Sequence, residues 1–108
     1  LHDALPIYVW EHHAHAFTRE EMAATLGVAP GHLTQHFRQM LGVTPWEYLT
    51  HVRIERAKEL LAANTLSITE IAGLVGYGDA AYFSRIFSRE TGRTPRAYRQ
   101  QAIHPPDW

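Results

Sequence analysis

One pattern occurs twice in this chain, about fifty residues apart, and it restricts the fold more than any other feature. The first copy runs Thr18-Arg-Glu-Glu-Met-Ala-Ala-Thr-Leu-Gly27, then Leu33-Thr-Gln-His-Phe37, then Gly42-Val-Thr-Pro45-Trp-Glu-Tyr48. The second runs Ser67-Ile-Thr-Glu-Ile-Ala-Gly-Leu-Val-Gly76, then Phe83-Ser-Arg-Ile-Phe87, then Gly92-Arg-Thr-Pro95-Arg-Ala-Tyr98. Up to the glycine the copies are offset by 49 residues and beyond it by 50, so the second turn holds one extra residue. A duplication of this length means one supersecondary unit built twice, presenting two similar surfaces to a repetitive partner.

The copies mark their own helix ends. Thr18 with Glu21, and Ser67 with Glu70, have the spacing of a capping box, in which hydroxyl and carboxylate each satisfy a free N–H of the first turn. Gly27 and Gly76 stand where a helix stops, because glycine tolerates the left-handed backbone of a C-cap. Thr44-Pro45 and Thr94-Pro95 each read as an N-cap followed by proline at the first helical position. Asp79 is a further N-cap. These signals predict seven helices, at about 8–15, 18–26, 30–41, 45–63, 67–75, 79–91 and 95–101. No segment alternates with period two, so the fold class is all-α, with two helix-turn-helix subdomains of homeodomain-like form joined by a long linker helix. The predicted divisions are unit one at 8–44, the linker helix at 45–63, unit two at 64–101 and a tail at 102–108.

Composition narrows the function by exclusion. With 108 residues the chain is long enough for a modest core but not for an enzyme with a deep cleft. It has no cysteine, which removes disulfides, thiolate metal sites and cysteine nucleophiles. No apolar run approaches the roughly 20 residues of a membrane span. The net charge of -1 is unlike that of a nucleic-acid binder, but the charge is unevenly spread. From Arg85 to Arg99 five arginines face Glu90 alone, a balance of +4, while from Leu1 to Phe37 four acids face Arg19, a balance of -3. Duplex DNA, which repeats every helical turn, suits both the repeat and the basic second half. The first residues, Leu1-His-Asp-Ala-Leu-Pro-Ile7, lack an initiating methionine and back-translate to the end of a common sequencing adapter. They are expected to be a non-native leader on a fragment of a longer protein, and are set aside from the helix assignment.

On the long fourth helix, Leu49, Val52, Ile54, Ala57, Leu60 and Leu61 cover more than half of the circumference, wider than an ordinary surface helix buries. A helix shared by two small subdomains needs that breadth. Arg53 falls inside this arc. It is read first as a structural arginine paired with a carboxylate such as Asp79, and second as a phosphate contact, since an unpaired charge on a packed face is costly.

The repeat, the stretch Arg53-Ile-Glu-Arg-Ala-Lys-Glu-Leu-Leu61, the run Ile71-Ala-Gly-Leu-Val-Gly-Tyr-Gly-Asp-Ala-Ala-Tyr-Phe-Ser-Arg-Ile-Phe87 and the close Gly92-Arg-Thr-Pro-Arg-Ala-Tyr-Arg99 resemble the C-terminal DNA-binding domain of AraC/XylS transcription regulators. The resemblance covers about Tyr8 to Gln101. It implies a bacterial, cytoplasmic, nucleoid-bound domain that binds promoter DNA through two helix-turn-helix units, mostly to activate transcription. It implies no enzyme activity and no cofactor. It also implies a separate effector-binding or dimerisation domain outside this chain, and RNA polymerase contact is compatible with it.

Helical spacing separates the inward and outward faces. On the third helix Leu33, Phe37, Met40 and Leu41 turn inward, leaving Gly31, Thr34, Gln35 and Arg38 outward. On the sixth Phe83 and Phe87 turn inward, leaving Ala81, Ser84, Arg85 and Ser88 outward. These outward positions match those the family uses in the major groove. Gln35 has the bidentate geometry for adenine N6/N7, and Arg85 for guanine O6/N7. Thr34 and Ser84 suit bases or phosphates, whereas Gly31 and Ala81 have almost no reach, so part of the readout is expected from DNA shape. Arg89, Arg93 and Arg96 are candidate phosphate contacts. A plain solvated helix face is the alternative for each polar position. The duplicated context overrides it for Gln35 and Arg85 and leaves it open for Thr34, Arg38, Ser84 and Ser88.

Two rival functions compete with DNA binding. His12, His13 and His15 cluster, and His32 and His36 stand at i, i+4, a spacing that can place two imidazoles on one zinc ion. No acid lies between them and no third ligand is evident, so no metal site is assigned. A helical protein-interaction module is the other rival, separable by the steep salt dependence of DNA binding. With two reading helices on one linker, a monomer is expected to span successive major grooves, about 34 Å apart on straight DNA.

Overall fold

A computed structural model describes residues 4–15 and 18–103, with side chains from Ile7 onward. The described residues form α1 (Ala4–His12), α2 (Arg19–Leu26), α3 (Leu33–Leu41) preceded by a 3-10 turn (Pro30–His32), α4 (Pro45–Ala63), α5 (Ile68–Leu74), α6 (Ala80–Thr91) and α7 (Pro95–Ile103). The described residues contain no strand, so the all-α expectation holds.

The caps explain most boundaries. Thr18 Oγ1 accepts from Glu21 N at 3.0 Å while Thr18 N donates to Glu21 Oε1 at 3.4 Å. Ser67 and Glu70 repeat the box at 3.0 and 3.1 Å. A third box, not read from the sequence, joins Thr44 and Glu47, both bonds being 3.2 Å. Hydrogen bonds to the charged carboxylates hold Glu47 and Glu70 below the usual carboxylate range. Thr44 is the main cause for Glu47, with Arg38 adding a smaller attraction, and Ser67 is the cause for Glu70. Both inner turns close alike: Val28 N donates to Ala23 O at 3.0 Å and Tyr77 N to Ala72 O at 2.8 Å. The glycines before them, Gly27 and Gly76, have φ of 73° and 98°, the left-handed backbone that side chains disfavour.

Three expectations need correction. The first helix was expected at 8–15, but α1 begins at Ala4 and ends at His12, so Ala4–Ile7 of the supposed leader is helical. Pro6 is tolerated because it falls in the first turn, where its missing N–H breaks no helical bond. At its end His12 Nδ1 donates to Tyr8 O at 2.9 Å and His13 Nδ1 to Trp10 O at 2.5 Å, so the histidines cap the last turn. Leu1–Asp3 lie outside the described residues. The third helix was expected to start at Pro30 as α-helix, but its first turn is 3-10. Ala29 at its N-cap makes no side-chain bond, so no cap secures a full α turn there. The last helix runs two residues beyond the expected 101, to Ile103, and His104–Trp108 of the expected tail lie outside the described residues.

The chain divides into two compact units inside α4, between Val52 and Arg53. Tyr8, Val9, Met22, Leu33, Phe37, Leu49 and Val52 form the core of the first. Ile54, Ala57, Leu61, Ile71, Ala72, Val75, Tyr77, Phe83, Ile86 and Phe87 form the core of the second. The apolar arc of α4 is therefore shared out, Leu49 and Val52 to one core and Ile54, Ala57 and Leu61 to the other, with Leu60 only partly buried. The repeat extends into packing. Phe37 lies 6.2 Å from Tyr48 in the first unit, and the equivalent Phe87 lies 5.6 Å from Tyr98, edge-on, in the second.

Candidate nucleic-acid interface

In the first unit α3 buries Leu33 and Phe37, with Met40 and Leu41 packed partly against the same core. Anchoring those four fixes the helix rotation, and the opposite side carries exposed Gly31, Gln35 and Arg38. Thr34 lies half-buried at the edge of that face. Arg38 is also near enough to Glu47 to favour its carboxylate form. The exposed His32 and Gln39 extend the polar strip, although neither was singled out for DNA from the sequence. Among the described residues no group of three or more histidine, aspartate or glutamate side chains is placed to hold a metal ion.

In the second unit α6 buries Phe83, Ile86 and Phe87 and exposes Ala81 and Arg85, with Ser84 and Ser88 half-buried. Asp79 secures its start, Oδ1 accepting from Ala81 N at 2.9 Å, so α6 begins as α-helix where the first unit has a 3-10 turn. Arg89, Arg93 and Arg96 are exposed. Arg89 Nε donates to Glu90 at 3.1 Å, a surface pair of small energetic weight. Arg99, counted in the basic balance, faces inward instead. Its guanidinium donates to Leu61 O at 3.3 Å and to Leu66 O, covering carbonyls at the end of α4 and in the loop before α5. The outward charge of the second unit is thus smaller than the raw count.

Two aromatic contacts were not foreseen. The Arg53 guanidinium carbon lies 5.1 Å from the centroid of the Tyr77 ring. Burial pushes the Tyr77 phenol up from its ordinary value, and Arg53 opposes that shift. The Arg85 guanidinium carbon lies 5.7 Å from the centroid of Tyr82, which is 47% exposed. Tyr82, Arg85 and Arg89 share one helical strip, at i, i+3 and i+7.

Comparison with known proteins agrees with this geometry. The family model described as a helix-turn-helix domain matches residues 22–101. The chain belongs to the AraC/XylS family of transcription regulators, and corresponds to their DNA-binding domain; the family comprises regulators rather than enzymes. It is 38% identical over 101 residues to the HTH-type transcriptional regulator YijO of Escherichia coli K12, covering 94% of this chain and 36% of that protein. It is 44% identical over 85 residues to the transcriptional activator RhaR of Cronobacter sakazakii, covering 79% of this chain and 30% of that protein. The chain thus spans about a third of the length of these curated relatives. Among solved structures, the C-terminal domain of the Geobacillus stearothermophilus response regulator AraT superposes with a TM-score of 0.86 at 36% identity, covering 93% of this chain and 84% of that one. The DNA-binding domain of AdpA in complex with a target DNA also gives 0.86, at 27% identity over 98% of this chain and 97% of that one.

Proposed function

We propose that this domain reads an asymmetric promoter site by inserting α3 and α6 into successive major grooves. The observation that carries the proposal is that both helices are locked by buried apolar residues on one side, Leu33 and Phe37 in α3 and Phe83, Ile86 and Phe87 in α6, and expose Gln35 and Arg38 or Arg85 on the other. Gln35 and Arg85 read bases by bidentate hydrogen bonding. Thr34, Arg38, Ser84 and Ser88 flank them at bases or phosphates, and Gly31 and Ala81 allow close approach of the helix start. Arg89, Arg93 and Arg96 neutralise phosphates and set register without reading sequence. No chemical step is catalysed, and binding is the function of the domain. In the whole regulator, a separate effector-binding or dimerisation domain controls it within the bacterial cytoplasm, with RNA polymerase as the downstream contact.

Selection from a random duplex pool, followed by footprinting of the enriched sequence, tests this. An asymmetric, bipartite site of roughly twenty base pairs, protected in two adjacent major grooves, is expected. Protection confined to one groove, or affinity indifferent to salt, overturns it. Within the selected duplex, Arg85→Ala is expected to cost about 1–3 kcal/mol and to relax preference at one base pair.

A further inference from the structure

In the second unit four side chains from three segments stack in sequence, and the last of them is the proposed base-reading arginine. Arg53 on α4 lies over Tyr77, in the turn before α6, at 5.1 Å. Tyr77 is buried and its ring lies 5.6 Å from Phe83 in the core. Tyr82 leans on Tyr77 with ring centroids 5.9 Å apart and an interplanar angle of 60°. Arg85 in turn lies over Tyr82 at 5.7 Å. Tyr82 is therefore anchored on one side and 47% exposed on the other, where it carries Arg85.

We propose that Tyr82 is a positioning residue for Arg85, an aromatic platform that holds the guanidinium in place before DNA arrives. The inference rests on α6 being a base-reading helix, as proposed above. A free arginine side chain samples many rotamers, and ordering it on binding lowers affinity. A ring beneath the guanidinium reduces that loss, while the planar fork keeps its N–H edge for a guanine. In the first unit the equivalent positions hold His32 and Gln35, so the platform belongs to the second unit alone.

The test uses this chain, a duplex selected by it from a random pool, and the same duplex with single base-pair changes. Arg85→Ala identifies the base pair whose discrimination Arg85 supplies. If no base pair responds to Arg85→Ala, base reading by Arg85 fails, and the platform with it. If one responds, Tyr82→Ala and Tyr82→Leu are each expected to reduce discrimination there by about 2- to 5-fold. Tyr82→Phe, which keeps the ring, is expected to retain it. In the Arg85→Ala background the Tyr82 substitutions are expected to cause no further loss at that base pair. Tyr82→Leu preserves apolar packing on Tyr77, and thermal melting confirms that each variant compared is folded. Full discrimination in folded Tyr82→Leu overturns the platform. So does equal, sequence-independent weakening in Tyr82→Phe and Tyr82→Leu, which would make Tyr82 a phosphate contact through its hydroxyl.

Discussion

The two units share a helical scaffold and differ in nearly everything a partner would meet. Thr18 and Ser67 cap, Gly27 and Gly76 turn, and Phe37 and Phe87 fill the cores beside Tyr48 and Tyr98. Outside that scaffold, Arg85, Arg89, Arg93, Arg96 and Arg99 stand where the first unit has Gln35, Gln39, Val43, Trp46 and Leu49. Conversely, Arg38 and Glu47, close enough to interact, are replaced by Ser88 and Ala97. Buried positions in a small core tolerate little change in volume, whereas exposed positions answer only to the partner. A duplication can therefore hold its fold while its two surfaces diverge, as the proposed asymmetric site requires.

The largest expected effect tests the shared part. Phe37→Ala and Phe87→Ala each remove a fully buried ring and are expected to cost about 3–5 kcal/mol, read by urea denaturation. Phe87→Ala should be the costlier, because Phe87 also packs against Phe83 at 5.8 Å. Equal or reversed losses would show that the second core is not the more tightly interlocked.

The arginines sharpen the comparison further. Arg99→Ala is expected to destabilise by about 1.5 kcal/mol, the lower end for charged hydrogen bonds at a half-exposed site, and to leave the salt dependence of duplex binding unchanged. Arg93→Ala and Arg96→Ala should do the opposite, each reducing the salt slope by about 1 with little change in stability. A salt slope that moves with Arg99 and not with Arg93 or Arg96 would reverse their roles.

A smaller effect concerns the two helix starts. Asp79→Ala should cost about 1 kcal/mol by removing the bond to Ala81 N. Ala29→Asp should supply the missing side-chain cap in the first unit and raise its melting temperature, while the added charge beside Gly31 weakens duplex binding. An unchanged melting temperature would mean that the lack of a cap does not set the 3-10 turn.

The smallest effect is in acid. Glu47 and Glu70 have folded-state carboxyls held below their ordinary value, so the stability they contribute is present above the unfolded value and is lost as pH falls through the folded one. Glu47→Gln and Glu70→Gln keep an acceptor for the box but cannot titrate. Both should flatten the acid limb of a stability-against-pH curve, and an unaltered limb would assign acid unfolding to other carboxylates.

How far each feature could be read in advance follows the distance its cause spans along the chain. The capping boxes join residues three apart, so Thr18 with Glu21 and Ser67 with Glu70 were legible, and Thr44 with Glu47 was equally available although only its threonine was recognised. Inward faces followed from helical spacing alone, and Leu33, Phe37, Phe83 and Phe87 are all buried. The early end of α1 was not legible because no glycine or proline stands near His12 to mark it. The Arg53–Tyr77 contact and the bonds of Arg99 to Leu61 and Leu66 join residues 24 to 38 apart, beyond the reach of any local rule.

By itself the sequence determined the duplicated helix-turn-helix plan, the ends of most helices and which side of α3 and α6 turns inward, because propensity, capping and periodicity act over a few residues. Only the tertiary structure decided which arginines remain for a partner. Five lie in one basic run, yet Arg99 is spent on the end of α4, Arg89 touches Glu90 and Arg85 rests on Tyr82. A charge is inherent in the residue, but its availability depends on what the fold packs against it.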